Sequence, residues 1–99
     1  MAAITDIGSL IIRSRDVRGG RPRIAGTGVT VQRIVDLRQE GLSAEQIASE
    51  IPHLTLGQVY AALAYYHANL DEIDRLIADD DAAAIEAEEA HRHAHSGRT

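Results

Sequence analysis

The chain has no cysteine, tryptophan, phenylalanine or lysine among its 99 residues, only two prolines, and only three aromatic rings, all tyrosine. Each absence closes a class of explanation. Without cysteine there is no disulfide framework, no thiolate zinc site and no thiol nucleophile. No apolar run approaches the roughly 18–20 residues that cross a bilayer, and the N-terminus carries no apolar signal-peptide stretch. The expectation is a small soluble protein of the cytoplasm. Without Phe or Trp the core must be aliphatic, drawn from 11 Ile, 8 Leu and 5 Val beside 16 Ala. That fills one small domain, helped by a partner or a second copy.

What is present is an uneven charge. The net of −5 divides into 7 Arg and 6 acids over residues 1–69, and 3 Arg and 9 acids over residues 70–99. Residues 13–38 alone hold 7 Arg against Asp16 and Asp36. Two readings are open. The basic segment Arg13, Arg15, Arg18, Arg21 and Arg23 is an anion-facing arm suited to phosphates, with the tail turned to something else. Alternatively it is a solvated face that pairs with the acidic tail of this or another copy.

Residues 1–31 read as extended and turn structure. Leu10-Ile11-Ile12, Arg23-Ile24 and Val29-Thr30-Val31 are β-competent fragments, with a turn expected within Ala25–Gly28. Helices follow over residues 30–78. Thr30 caps the first, which Gly41 ends. Ser43 with Gln46 and Thr55 with Gln58 are capping boxes for the second and third. Val59, Ala62, Leu63, Tyr66, Leu70, Ile73 and Ile77 then form one helical stripe, predicting a long third helix of about five turns. Residues 79–99 read as an acidic, His-containing tail.

The second and third helices, tightly linked, make a helix-turn-helix pattern or a plain packing hairpin. In the first case Thr55, Gly57, Gln58 and Tyr60 meet DNA, with Gln58 suited to a bidentate adenine contact. No catalytic constellation is present. The serines lie in no nucleophile elbow, and the glycines precede no Gly-Lys-Ser/Thr phosphate loop. Asp79-Asp80-Asp81 reads as a solvated helix end. His91, His93 and His95 splay on a helix and have no supporting ligands, so no metal and no cofactor are expected.

The segment from Gly19 to Val31, with its Gly20-x-Pro22-x-Ile24-x-Gly26-Thr27 element, and the segments 41–47 and 54–65 strongly resemble the DUF433 family. The resemblance covers roughly residues 10–70. It implies a VapB-like antitoxin, a DNA-binding helix-turn-helix protein that represses its own operon and neutralises a PIN-like RNase toxin, and not an enzyme. Other readings are a stand-alone regulator and a protein-interaction module that does not touch DNA. The implied fold is mostly α: three helices in a homeodomain-like helix-turn-helix, an N-terminal β-arm and an extended acidic C-terminal helix or tail, in a homodimer with no membrane association. DNA contacts fall to Arg15, Arg18, Arg21, Arg23, Thr27, Arg33, Ser43, Thr55, Gln58 and Tyr60. Partner contacts fall to Tyr66, Leu70, Ile73, Leu76 and Ile77. The family pattern has Arg where this chain has Gly28, so Arg21 or Arg23 is expected to do that work.

Overall fold

The Gly- and Pro-punctuated start of the chain folds in extended pieces. In the computed structural model, which describes the backbone of residues 4–96 and the side chains of residues 4–91, strand β1 (Ile11–Ile12) pairs antiparallel with β2 (Arg23–Ile24). The register sets Ile11 opposite Ile24 and Ile12 opposite Arg23. A tighter hairpin follows. Arg23 bridges to Thr30, and the Ile24 N–H donates to the Val29 carbonyl at 2.8 Å. Its turn lies at Ala25–Gly28, as the sequence predicts. Gly26 (φ 79°) takes the left-handed conformation there that a side chain would strain.

Four helices complete the fold: α1 (Val31–Gln39), α2 (Ala44–Glu50), α3 (Leu56–Ala68) and α4 (Leu70–Ser96). Thr30 Oγ1 accepts from the Arg33 N–H at 3.1 Å, satisfying one of the free donors of α1. Both predicted capping boxes form. Ser43 and Thr55 each accept from the N–H three residues on at 3.2 Å, and Gln46 and Gln58 return Oε1 to the cap N–H at 2.8 Å. At the far end of α1, Gly41 (φ 105°) lets the Leu42 N–H reach back to the Leu37 carbonyl at 3.2 Å.

The expected long third helix is two helices. At Asn69 (φ −139°, ψ 47°) the backbone leaves the helical region. The Asn69 side-chain amide donates to the Tyr65 carbonyl at 3.0 Å, taking the acceptor that its own N–H would use in a continuous helix. The displaced N–H turns to Tyr66 at 3.0 Å, and Ile73 N–H restarts the ladder on the Asn69 carbonyl at 3.2 Å. The break sends Ile73 into the core, which a straight helix would have overshot.

That core is one aliphatic cluster. Ile24 from β2, Val31 and Ile34 from α1, Ile47 from α2, Val59 from α3 and Ile73 from α4 have no exposed surface. Helix α4 then runs on without interruption, so the anticipated division between residues 30–78 and 79–99 falls inside one helix. From Asp81 to His91 every residue of it is exposed. Among the described residues no helix is long and apolar enough to cross a membrane.

Candidate nucleic-acid interface

The arginines of the basic segment meet four different fates. Arg15 is exposed and carries no ion pair among the described residues. Arg18 is exposed, its Nε donating to the Gly28 carbonyl at 3.0 Å. Arg13 and Arg21 are tied to α4. Arg23 is withdrawn altogether: it is 8% exposed, its Nη1 donates to the Thr27 carbonyl at 3.0 Å and its Nη2 to Ser14 Oγ at 2.9 Å. Arg23 therefore offers little surface to a phosphate, against the expectation of an exposed contact. Its forked head is needed to hold the turn beneath it. Thr27 is likewise occupied, its hydroxyl donating to the Ile24 carbonyl at 2.8 Å and accepting from the Val29 N–H at 3.0 Å. Arg33 and Arg38 on α1 remain exposed and carry no ion pair among the described residues.

The second sequence reading, a basic face met by the acidic tail, accounts for the two tied arginines. Arg13 Nη2 lies 2.5 Å from Glu72 Oε1, hydrogen-bonds the Tyr65 hydroxyl, and stands 5.8 Å from that ring's centroid. The Tyr65 hydroxyl in turn donates to Glu72 at 2.8 Å. Burial pushes the Glu72 carboxyl up, but hydrogen bonds from Arg13 and Tyr65 and the Arg13 charge outweigh it and hold the group below its ordinary value. Arg21 forks onto Asp80 with two contacts of 2.7 Å, and Gln32 Nε2 donates to the same carboxylate. The Arg21 hydrogen bond, then that from Gln32, bring the Asp80 carboxyl down to about 2. Glu72, Asp80 and Gln32 escaped sequence reasoning. Arg21 and Asp80 are 59 residues apart and share no local periodicity, and a lone Gln on a helix face carries no signal.

A cleft of about 580 Å³ opens beside this pair, lined by Arg18, Arg21, Gln32, Arg33, Asp36 and Asp80 among others. The Asp36 carboxyl is pushed up, first by burial and then by the neighbouring Asp81 charge. The Arg18 guanidinium lies over Gly28: a Cβ there would come within 3.1 Å of its Nη2. Arg18 thus fills the place beside position 28, where Arg21 or Arg23 was expected to serve.

The start of α3 departs further from expectation. The Thr55 hydroxyl and the Gln58 side-chain oxygen are both engaged in the capping box, as are Ser43 and Gln46 on α2. A bidentate adenine contact uses the Gln58 oxygen and nitrogen together, and in the intact box one acceptor site of that oxygen is already taken by the Thr55 N–H. Tyr60 is 51% exposed, with its hydroxyl 3.4 Å from Glu45. The surrounding groove is lined by Ile7, Leu10, Tyr60, Ala61 and Ala64 with neutral polar neighbours, and no charged residue is part of its lining. The stripe given to a partner is divided between core and surface. Ile73 is wholly buried, and Tyr66, Leu76 and Ile77 pack against the domain's own core. Tyr66 also donates to Asp74 at 2.8 Å. Leu70 (43% exposed) is open, as is Ile85 (55% exposed), which sequence reasoning passed over. Among the described residues no cluster of His, Asp or Glu suits a metal; the side chains of His93 and His95 lie outside them.

The model of a family of unknown function, DUF433, matches residues 11–66 of the chain. The chain belongs to the DUF433 family. Among solved structures it is similar to a DUF433 member from Anabaena variabilis, at 36% identity and a TM-score of 0.67, covering 71% of this chain and 69% of that one. No curated protein matches it. The family's signature stretch has a physical role in this DUF433 protein. Pro22 is buried and its carbonyl accepts from the Val31 N–H at 3.0 Å, Ile24 anchors the core, Gly26 turns the chain and Thr27 braces the turn. The match ends before α4, so Glu72 and Asp80 lie outside it.

Proposed function

We propose that this DUF433 protein is the DNA-binding antitoxin of a toxin–antitoxin pair, a homodimeric binding protein rather than an enzyme. The helical head meets operator phosphates through Arg15, Arg18, Arg33 and Arg38, and the outer half of α4 covers a PIN-like RNase toxin. The observation that carries the reading is the exposure of the outer half of α4. From Asp81 to His91 it is exposed throughout, rich in Ala and Glu, and it shows Ile85 to solvent. A helical segment of that length is marginal by itself in water, and a partner surface supplies what the core does not. The exposed arginines favour DNA, since each neutralised phosphate releases counterions.

The test has two parts. Binding to duplex DNA from the region upstream of its own gene should weaken with salt at a log–log slope of about −3 to −4 per protomer bound, for about four phosphates at 0.9 each. The pair Arg18→Gln and Arg33→Gln should flatten that slope by about 1.8. Ending the chain at Asp81 keeps Ile73 and Asp80 and should abolish toxin neutralisation while circular dichroism shows a folded head. A slope near zero, or neutralisation by the shortened chain, would each remove half of the reading.

A second reading, a protein-interaction module that ignores DNA, is favoured by one observation: the α3 face that would enter the major groove presents no cation, and the charge beside its Tyr60 is the Glu45 carboxylate. A flat salt response together with toxin binding selects it.

A further inference from the structure

Three donors from two elements of the head converge on one carboxylate. Arg21 Nη1 and Nη2 reach the two oxygens of Asp80 at 2.7 Å each, and Gln32 Nε2 donates to the same group. Gln32 distinguishes this arrangement from an ordinary surface ion pair, whose net contribution is small. It is 6% exposed, and its Oε1 accepts from Arg21 Nη1 at 2.9 Å, which fixes the amide with its nitrogen toward the anion. The backbone of both donors is set outside α4: Arg21 precedes the buried Pro22, and Gln32 lies in the first turn of α1. Both lie within the stretch that the family model matches, whereas Asp80 lies beyond it.

The charge of the cleft points the same way. Its lining carries Arg18, Arg21 and Arg33 against Asp36 and Asp80, so without Asp80 the lining holds three cations and one carboxyl, with Asp79 and Asp81 close by on α4. A planar guanidinium fork beside an oriented amide is how proteins hold a phosphate's oxygens. We propose that Arg21 and Gln32, flanked by Arg18 and Arg33, form a phosphate-binding cradle that Asp80 of α4 occupies in cis, standing in for a phosphodiester. The DNA reading above enters only in the identity of the polymer; the anion chemistry stands apart from it. One consequence is coupling. Phosphate and α4 compete for one set of donors, so a partner that draws α4 aside opens the cradle, and an anion in the cradle loosens α4, by reciprocity.

The test compares the full chain with its Asp80→Ala and Asp80→Asn variants, titrated with inorganic phosphate at constant ionic strength. The readout is the ¹⁵N–¹H signal of the Gln32 side-chain amide. Both variants should give a saturable shift, with phosphate bound about tenfold more tightly than by the unaltered chain, as expected for one added charge-assisted contact. Arg21→Gln introduced into the Asp80→Ala chain should abolish the shift. No saturation in either folded variant, or equal affinity with and without Asp80, overturns the proposal. A second arm uses duplex DNA. Tighter binding by Asp80→Ala, with a log–log salt slope steeper by about 0.9 per protomer bound, supports a phosphodiester as the ligand. Phosphate saturation with no duplex binding by any variant supports the cradle with free phosphate as its ligand, and removes the operator-binding reading instead.

Discussion

Helix α4 sends one side chain wholly into the core, and its removal gives a measurable cost. Ile73 has no exposed surface and is the fully buried residue that α4 contributes to the aliphatic cluster. Ile73→Ala deletes three carbons, a transfer loss of about 2.4 kcal/mol at about 0.8 kcal/mol per methylene. The residual cavity adds to that, so the expected cost is about 3–4 kcal/mol, within the range for such truncations. In a domain of this size each kcal/mol lowers Tm by roughly 4–8 °C, so the variant should melt at least about 12 °C earlier. Urea unfolding followed by circular dichroism provides the free energy, with an unchanged m-value showing that the native state is intact. Ile85→Ala is the control. Ile85 is 55% exposed on the outer half of the same helix, and its truncation should cost no more than about 0.5 kcal/mol. Equal effects at the two positions, or a loss under about 1 kcal/mol at Ile73, would refute the packing of α4 against the head.

Other consequences are open to measurement. Asp80, at about 2 against an ordinary 3.8, contributes stability that is present above pH 4 and lost as the pH falls toward 2; Glu72 acts in the same direction. With Asp80 44% exposed, that contribution is about 1 kcal/mol or less, and it should vanish from the acid limb of the melting curve in Asp80→Asn. Asp36 has the opposite sign: burial and Asp81 disfavour its charge, so Asp36→Asn should raise Tm at pH 7 and lose that advantage in acid, where the native carboxyl is protonated. Thr55→Ala should cost about 1 kcal/mol in urea unfolding by removing the α3 cap, while Thr55→Ser should cost little.

The local chemistry of the chain was legible because its signals span a few residues. A Ser or Thr with Gln three positions on is the local signature of a capping box, and a glycine after the last apolar position marks the end of a helix. The same range explains the failures. The apolar stripe from Val59 to Ile77 fits a straight helix by spacing, but Asn69 diverts one carbonyl and the core rewards the break by burying Ile73. The candidate DNA residues were chosen by type, and type does not say which neighbour has already claimed a donor. Arg23 and Thr27 are consumed by the turn that they build, and Gln58 by its own cap.

By itself the sequence determined the helical start points, the aliphatic composition of the core, the turn at Ala25–Gly28 and the separation of basic from acidic halves, since each follows from conformational preference, burial or charge within a short span. Only the tertiary structure decided where those halves meet. Arg21, Gln32 and Asp80 come from a loop, a helix and a second helix far apart in the chain, and hydrogen bonds of 2.7–2.9 Å select Arg21 for that role while leaving Arg15, Arg33 and Arg38 to solvent. Which arginines remain available to a phosphate is a question of donor geometry, and donor geometry exists only once the chain has closed on itself.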